Sequence, residues 1–213
     1  WNVYRFHADY AAMDGFDADE ESSYIAVTER SPLDRWILSR ASSMADSFHQ
    51  HFEEWDFHKA GRKLEEFVVN DLSNWYVRRS RRRLWEEVDS SDKRSCQHTL
   101  HEVLLLVCRL MAPISPFMPD VIHRALAGSS VHMADWPVGS GLVDRSLPPR
   151  DYGLEQQMGL VRALAERGRR IRVEEGRRQR LPCRNGWIIG GPDLNEFHDI
   201  LAEELNVERL MTE

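Results

Sequence analysis

The stretch DLSNWYVRRSRRRLW, residues 71–85, decides how the rest of the chain is read. Five of the six residues from Arg78 to Arg83 are arginine, and Trp75, Tyr76 and Trp85 flank them. Yet the chain as a whole is acidic, with 28 Lys and Arg against 35 Asp and Glu in 213 residues. On a helix at about 100° per residue, Arg78, Arg82, Arg79 and Arg83 sweep from roughly 0° to 140°, with Arg81 near −60°. Guanidinium groups packed this closely repel one another. The repulsion is relieved when phosphates accept their forks, or when acids elsewhere in the chain pair with them, and both can happen together. Val77 and Leu84 fall opposite the arginine arc. That predicts Arg78, Arg79, Arg82 and Arg83 outward, with Arg81 at the boundary beside an acid. Trp75 either anchors the helix in a core or stacks on bases.

The charge is uneven along the chain. Residues 59–83 carry eight Lys and Arg, among them Lys59 and Arg62, against three acids, a net of +5; residues 162–180 carry eight Arg against three Glu, again +5. Residues 1–31 are net −5 and residues 192–213 net −6. Two basic islands in an acidic body predict a polyanion met at a defined place. No apolar run approaches the ~18 residues that would span a membrane, and no secretory signal opens the chain. The first residue is Trp1, which suggests a piece of a longer polypeptide. Cys96, Cys108 and Cys183 form no C-x-x-C pair and read as reduced thiols of a cytosolic protein.

Other patterns carry no chemistry of their own. HTLHE (98–102) has too few convergent ligands for a metal, and DGFDADEES lacks the glycine and distal glutamate of a calcium loop. GWIIGG has no phosphate-cradling spacing, and no nucleophile motif is present. The expectation is therefore no catalytic residue and no metal ligand.

Periodicity and caps outline a mainly α chain. Residues 1–13 read as the end of a helix, followed by an acidic loop at 14–23. SPLD (31–34) opens a helix from 32 to about 54, with Ser31 at the N-cap and Pro32 at N1. Asp56 caps a second that runs through the arginines to about Glu87. After a turn at SSD (90–92), a third carries Leu100, Val103, Leu104, Val107, Cys108 and Met111. APISPFMP breaks it. A shorter helix covers 117–127 with Gly128 at its end, SVHMADWPVGSG reads as extended, and 142–150 as a linker. A long helix spans 154 to about 175. WIIG (187–190), LNEFHDILAEEL and VERLMT then form a small β-α-β arrangement.

DLSNWYVRRSRRRLW resembles the signature helix in the anticodon-binding region of isoleucyl-tRNA synthetases, class I enzymes, in the type found in archaea, eukaryotes and some bacteria. The family string D-L-S-N-W-Y-[IV]-R-R-S-R-R-R-F-W differs only at Leu84. WNVYRFHADYAAMDGF resembles the segment leaving the catalytic core, LDRWILSR the first bundle helix, MAPISPFMPDVIHRAL the family's L-[AM]-P-x-x-P-F-x-x-[DE] element, and SVHMADWP its V-H-L-x-x-W-P. EEGRRQRLPC fits the family's G-I-K-V-R-Q-P-L only with a shift. The resemblance implies an antiparallel helical bundle of the class I anticodon-binding fold over residues 31–140. It implies a segment at 1–30 leaving the catalytic core, a linker at 141–150, and a long helix with a small α/β junction subdomain at 151–213.

It further implies a cytoplasmic, monomeric parent enzyme that joins isoleucine to its tRNA using ATP and Mg2+, with catalytic and editing domains elsewhere in the same polypeptide. The ATP-site strings H-I-G-H and K-M-S-K-S are absent here, so the fragment itself holds no cofactor and is not catalytic. The RNA-binding residues expected are Arg78, Arg79, Arg82, Arg83, Lys59, Arg62 and Trp75. A stand-alone helical RNA-binding adaptor, the anticodon domain of a valyl or leucyl enzyme, and a module that packs the arginine helix against its own acids are the competing readings.

Overall fold

A computed structural model describes residues 1–20, 24–86, 88, 90–137, 148–190 and 194–212. The chain divides into two compact units, Trp1–Arg150 and Asp151–Glu213.

The first unit is helical. Its helices are α1 (Asn2–Asp14), α2 (Pro32–Glu53), α3 (Phe57–Glu66), α4 (Arg78–Trp85), α5 (Ser91–Met111) and α6 (Phe117–Ala127). Local chemistry sets most of their ends. The Ser31 hydroxyl accepts the Asp34 N–H at 3.2 Å ahead of Pro32, and the Asp56 carboxylate accepts the Lys59 N–H at 3.2 Å. Ser90 caps α5 through the Lys93 N–H at 3.1 Å. These bonds satisfy amides that a helix start otherwise leaves bare. Gly128, at φ 68°, closes α6 in the left-handed region that glycine enters without cost.

The second predicted helix is not uniform. Between α3 and α4 the chain continues helically through Phe67–Val77, but in π geometry. The buried positions match it: Phe67, Leu72 and Val77 are all buried and recur every five residues, the i→i+5 spacing of a π turn. A reading at 100° per residue could not contain this.

The core lies between α2, the continuous helix from α3 to α4, and α5. Trp36, Ile37, Phe48, Phe67, Leu72, Tyr76 and Leu100 are all fully buried. Residues Ser95 to Leu100 of α5 are buried without a break, so this part of the helix is enclosed on every side. Asp34, in the first turn of α2, meets Tyr76 and Arg83 near the far end of the continuous α3–α4 helix, so the two run antiparallel. Residues 1–30 belong to this unit. Asp14 accepts from Lys93 Nζ and Gln97 Nε2, both at 2.7 Å. Arg30 forks onto Glu102 at 2.7 and 2.8 Å while its Nε donates to the Ile25 carbonyl. Burial opposes the Arg30 charge, but the Glu102 carboxylate outweighs it and raises the guanidinium pKa.

Residues 21–23 of the expected acidic loop, 138–140 of the expected extended piece and 141–147 of the expected linker lie outside the described residues. Within the extended piece, Val131–Met133 form a 3-10 turn instead, with the Ser130 hydroxyl accepting the His132 N–H.

The second unit consists of α7 (Tyr152–Glu174), β1 (Cys183–Ile188), α8 (His198–Leu205) and β2 (Val207–Thr212). The strands pair in parallel, from Cys183 opposite Val207 to Ile188 opposite Thr212. β1 begins four residues before the predicted WIIG run, because Arg184 and Asn185 are exposed strand positions that no apolar pattern marks. Gly168 lets α8 approach α7: a Cβ there would stand 2.1 Å from Leu205 Cδ2.

Candidate nucleic-acid interface

Among the described residues, no group of three or more His, Cys, Asp or Glu side chains is placed to hold a metal ion, and no helix is long and apolar enough to cross a membrane. The concentrated feature of the first unit is α4, where five arginines do three different things.

Arg83 turns inward. Its Nη1 and Nη2 donate to Asp34 Oδ1 and Oδ2 at 2.8 and 2.6 Å. Its Nε and Nη2 donate to Asp92 Oδ2 and Oδ1 at 2.7 and 2.8 Å, and Nη2 also reaches the Asp92 carbonyl at 2.9 Å. The Arg83 side chain is 15% exposed and that of Asp34 0%. Tyr76 donates its hydroxyl to Asp34 Oδ1 at 2.5 Å. One guanidinium thus joins the start of α2, the end of α4 and the start of α5. Burial works against its charge, yet the hydrogen bonds and charge of Asp34 prevail and hold it protonated. Burial, reinforced by Asp34, raises the Tyr76 phenol well above its ordinary range. Burial pushes the Cys96 thiol beside them up to about 11.

The expectation that Arg83 faces outward is therefore corrected: it is the arginine that pairs with acids. Arg81 is exposed and makes no ion pair with a described residue. The deciding group is Asp34, 49 residues from Arg83 in sequence.

Trp75 lies in the core, 5% exposed, with the Arg78 and Arg79 guanidiniums 5.6 and 5.9 Å from its ring. That is cation–π distance. Of the two fates open to this ring, core anchoring is the one found. Arg78 Nε also donates to the Asn74 carbonyl at 3.0 Å. Arg78, Arg81 and Arg82 are exposed, and Arg79 is half-buried.

Lys59 and Arg62 are exposed on α3. Lys59 pairs with Asp56 at 2.8 Å and Arg62 Nε donates to His58 at 3.0 Å. Fifteen helical residues, eleven of them in π geometry, separate Arg62 from Arg78, on the order of 20 Å along the axis. The expected residues therefore do not form one patch: Arg78, Arg79 and Arg82 lie together, and Lys59 and Arg62 lie apart at the other end.

Trp85 falls within the arginine arc, where burial against the core or stacking on a base was open to it, and it is not buried. It is 63% exposed, one turn beyond Arg81 and Arg82. Its signal was in the sequence, as an aromatic adjoining arginines at a helix end. Flat exposed ring and outward guanidinium forks together offer stacking and phosphate contact, the two interactions that hold single-stranded nucleic acid.

The chain matches the family model described as the anticodon-binding domain of tRNA ligase over residues 34–185. It is 40% identical to the isoleucine–tRNA ligase of Streptomyces avermitilis over 220 aligned residues, covering 99% of this chain and 20% of that protein. It is 41% identical to that of Thermobifida fusca, with 99% and 20% covered, and 35% identical to that of Methanothrix thermoacetophila, with 94% and 19% covered. The chain spans about a fifth of the length of these curated relatives. Its helical architecture and the match over 34–185 place it plainly: the chain belongs to the family of anticodon-binding domains of tRNA ligases.

Proposed function

We propose that this chain is the tRNA-binding arm of an isoleucine–tRNA ligase. The parent enzyme is cytoplasmic and acts as a monomer. It joins isoleucine to its tRNA with ATP and Mg2+ in catalytic and editing domains outside this chain. The observation that carries the reading is the outward row of Arg78, Arg81 and Arg82 beside the exposed Trp85, on a helix fixed by Arg83. Guanidinium forks hold phosphates bidentately, and Trp85 offers a face to an unpaired base. Arg79 contributes from the edge of the row, and Lys59 and Arg62 extend the contact toward the other end of the helix. Arg83 and Trp75 act through the helix they anchor.

The test is binding of an isoleucine-accepting tRNA transcript across a salt series. Affinity falls steeply with salt in the parent chain, and each of Arg81→Gln and Arg82→Gln makes the log–log slope shallower by about 1. Each also weakens binding about fivefold, ~1 kcal/mol. Trp85→Ala weakens binding without changing the slope. Unchanged affinity in all three variants, each still folded, refutes the assignment of this face.

A further inference from the structure

The second basic island holds an arginine cluster that α4 does not account for. From Gly176 to Gly190 the chain reads GRRQRLPCRNGWIIG, with four arginines and no acid. Arg177, Arg178, Arg180 and Arg184 are all exposed and make no ion pair with a described residue. The loop that carries the first three, with Arg184 just inside β1, is nevertheless firmly built. α7 ends in a paired C-terminal bond pattern, with the Arg177 N–H on the Arg172 carbonyl at 2.7 Å and the Gly176 N–H on the Val173 carbonyl at 3.0 Å. Gly176 takes the φ of 64° this motif requires. Arg172, which is buried, then ties the loop down from beneath. Its Nη1 donates to the Leu181 carbonyl at 2.7 Å, and its Nη2 to the Leu205 and Asn206 carbonyls at 2.6 and 3.0 Å. Gln179 Nε2 donates to the Arg169 carbonyl at 2.9 Å, and Asn206 Nδ2 to the Gln179 carbonyl at 3.2 Å.

Two features of this arrangement need a partner. Fixing several guanidiniums on one short loop costs repulsion that a mobile loop would relieve by spreading. The C-terminal end of α7 offsets part of it at Arg177, whose N–H closes the helix, but that effect fades beyond the last turn. The Arg172 hydrogen bonds to described residues all end on backbone carbonyls, so its charge is solvated but not cancelled. It adds to the positive potential above it. A preorganised concentration of positive charge, offset only in part by Glu174 and Glu175 before the loop and by Glu208 across from Arg184, suits a polyanion, since the cost of ordering is met before binding.

We infer that the loop Gly176–Arg184 is a second phosphate-binding element, which holds the tRNA backbone at a place distinct from the one α4 contacts. The identity of the partner rests on the proposed function; the existence of an anion site rests on the loop itself.

The experiment compares the whole chain with Arg177→Gln/Arg178→Gln/Arg180→Gln and with Arg81→Gln/Arg82→Gln, measuring tRNA affinity across a salt series and phosphate protection by ethylation interference. Thermal melting confirms that both variants fold. The loop variant is expected to bind about tenfold more weakly, with a salt slope shallower by roughly 2. It loses one set of interfering phosphates and keeps the set that the α4 variant loses. If the loop variant binds and footprints like the parent while the α4 variant weakens, the inference is overturned and the proposed function stands. If the loop variant weakens and the α4 variant does not, the loop site stands and the α4 assignment falls. If the parent itself shows no salt-dependent tRNA binding, both fall. Loss of binding to phosphatidylserine vesicles with tRNA affinity intact would assign the loop to a lipid surface and overturn it as an RNA site.

Discussion

Replacing Arg83 by glutamine tests whether the last arginine of the string is a structural bolt. Asp34 is fully buried, and besides Arg83 its carboxylate accepts from the Tyr76 hydroxyl. Without Arg83, a buried carboxylate keeps one hydroxyl donor. Removing one member of a buried, hydrogen-bonded ion pair typically costs about 3–5 kcal/mol. Asp92, 52% exposed, adds little because solvent screens it. Against a total stability of about 5–15 kcal/mol for a domain, this is a large fraction. At roughly 2–4 °C per kcal/mol for a domain this size, the melting temperature falls by about 10 °C. Urea unfolding followed by circular dichroism should show a lower midpoint at unchanged m. Asp34→Asn combined with Arg83→Gln should cost less than the sum of the two single changes by about 1–3 kcal/mol, since the pair is then removed together. Arg81→Gln, on the exposed face, serves as the comparison and should stay within about 0.5 kcal/mol of the parent. An Arg83→Gln midpoint equal to that of Arg81→Gln, with additive behaviour in the double variant, would refute the bolt.

Three further outcomes follow from buried polar groups. Tyr76→Phe removes a hydrogen bond to a charged acceptor and should cost about 1.5–3 kcal/mol, read from the same urea curves. His7 lies at a cavity of about 430 Å3 with Tyr4, Phe16, Asp17, Asp19 and His101 around it. Burial, with repulsion from His101 and His98, lowers its pKa from 6.5 to about 3. The unfolded chain therefore takes up a proton that the folded one refuses, so stability is present above pH 6.5 and is lost as pH falls toward 3. The slope approaches about 1.4 kcal/mol per pH unit for this one group, and His7→Gln should flatten it in part, since burial also lowers His101. Burial raises the Cys96 and Cys108 thiols to about 11 and 12, whereas Cys183 is half-buried. A maleimide at neutral pH should label Cys183 first and reach the other two at comparable rates only in urea; equal rates in the folded chain would contradict this core.

What could be read from the sequence was whatever neighbours decide. The start of α2 is set within four residues, by Ser31, Pro32 and Asp34, and the end of α6 by Gly128 alone, so both were legible. What could not be read depends on distant residues or on helix geometry itself. Arg82 and Arg83 are chemically identical neighbours, yet one is exposed and the other clamps two carboxylates. About 100° of rotation separates them, and the π turns before Arg78 determine where that rotation points. Net charge counted along the string therefore overstates what a ligand meets, because Arg83 is cancelled internally. The second unit reverses that relation. Arg172 is buried like Arg83 and orients its neighbours in the same way, but its partners are carbonyls. The kind of acceptor decides the outcome: carboxylates turn a buried arginine into a neutral fastener, while carbonyls hold it in place and leave its charge to act on whatever approaches the loop above.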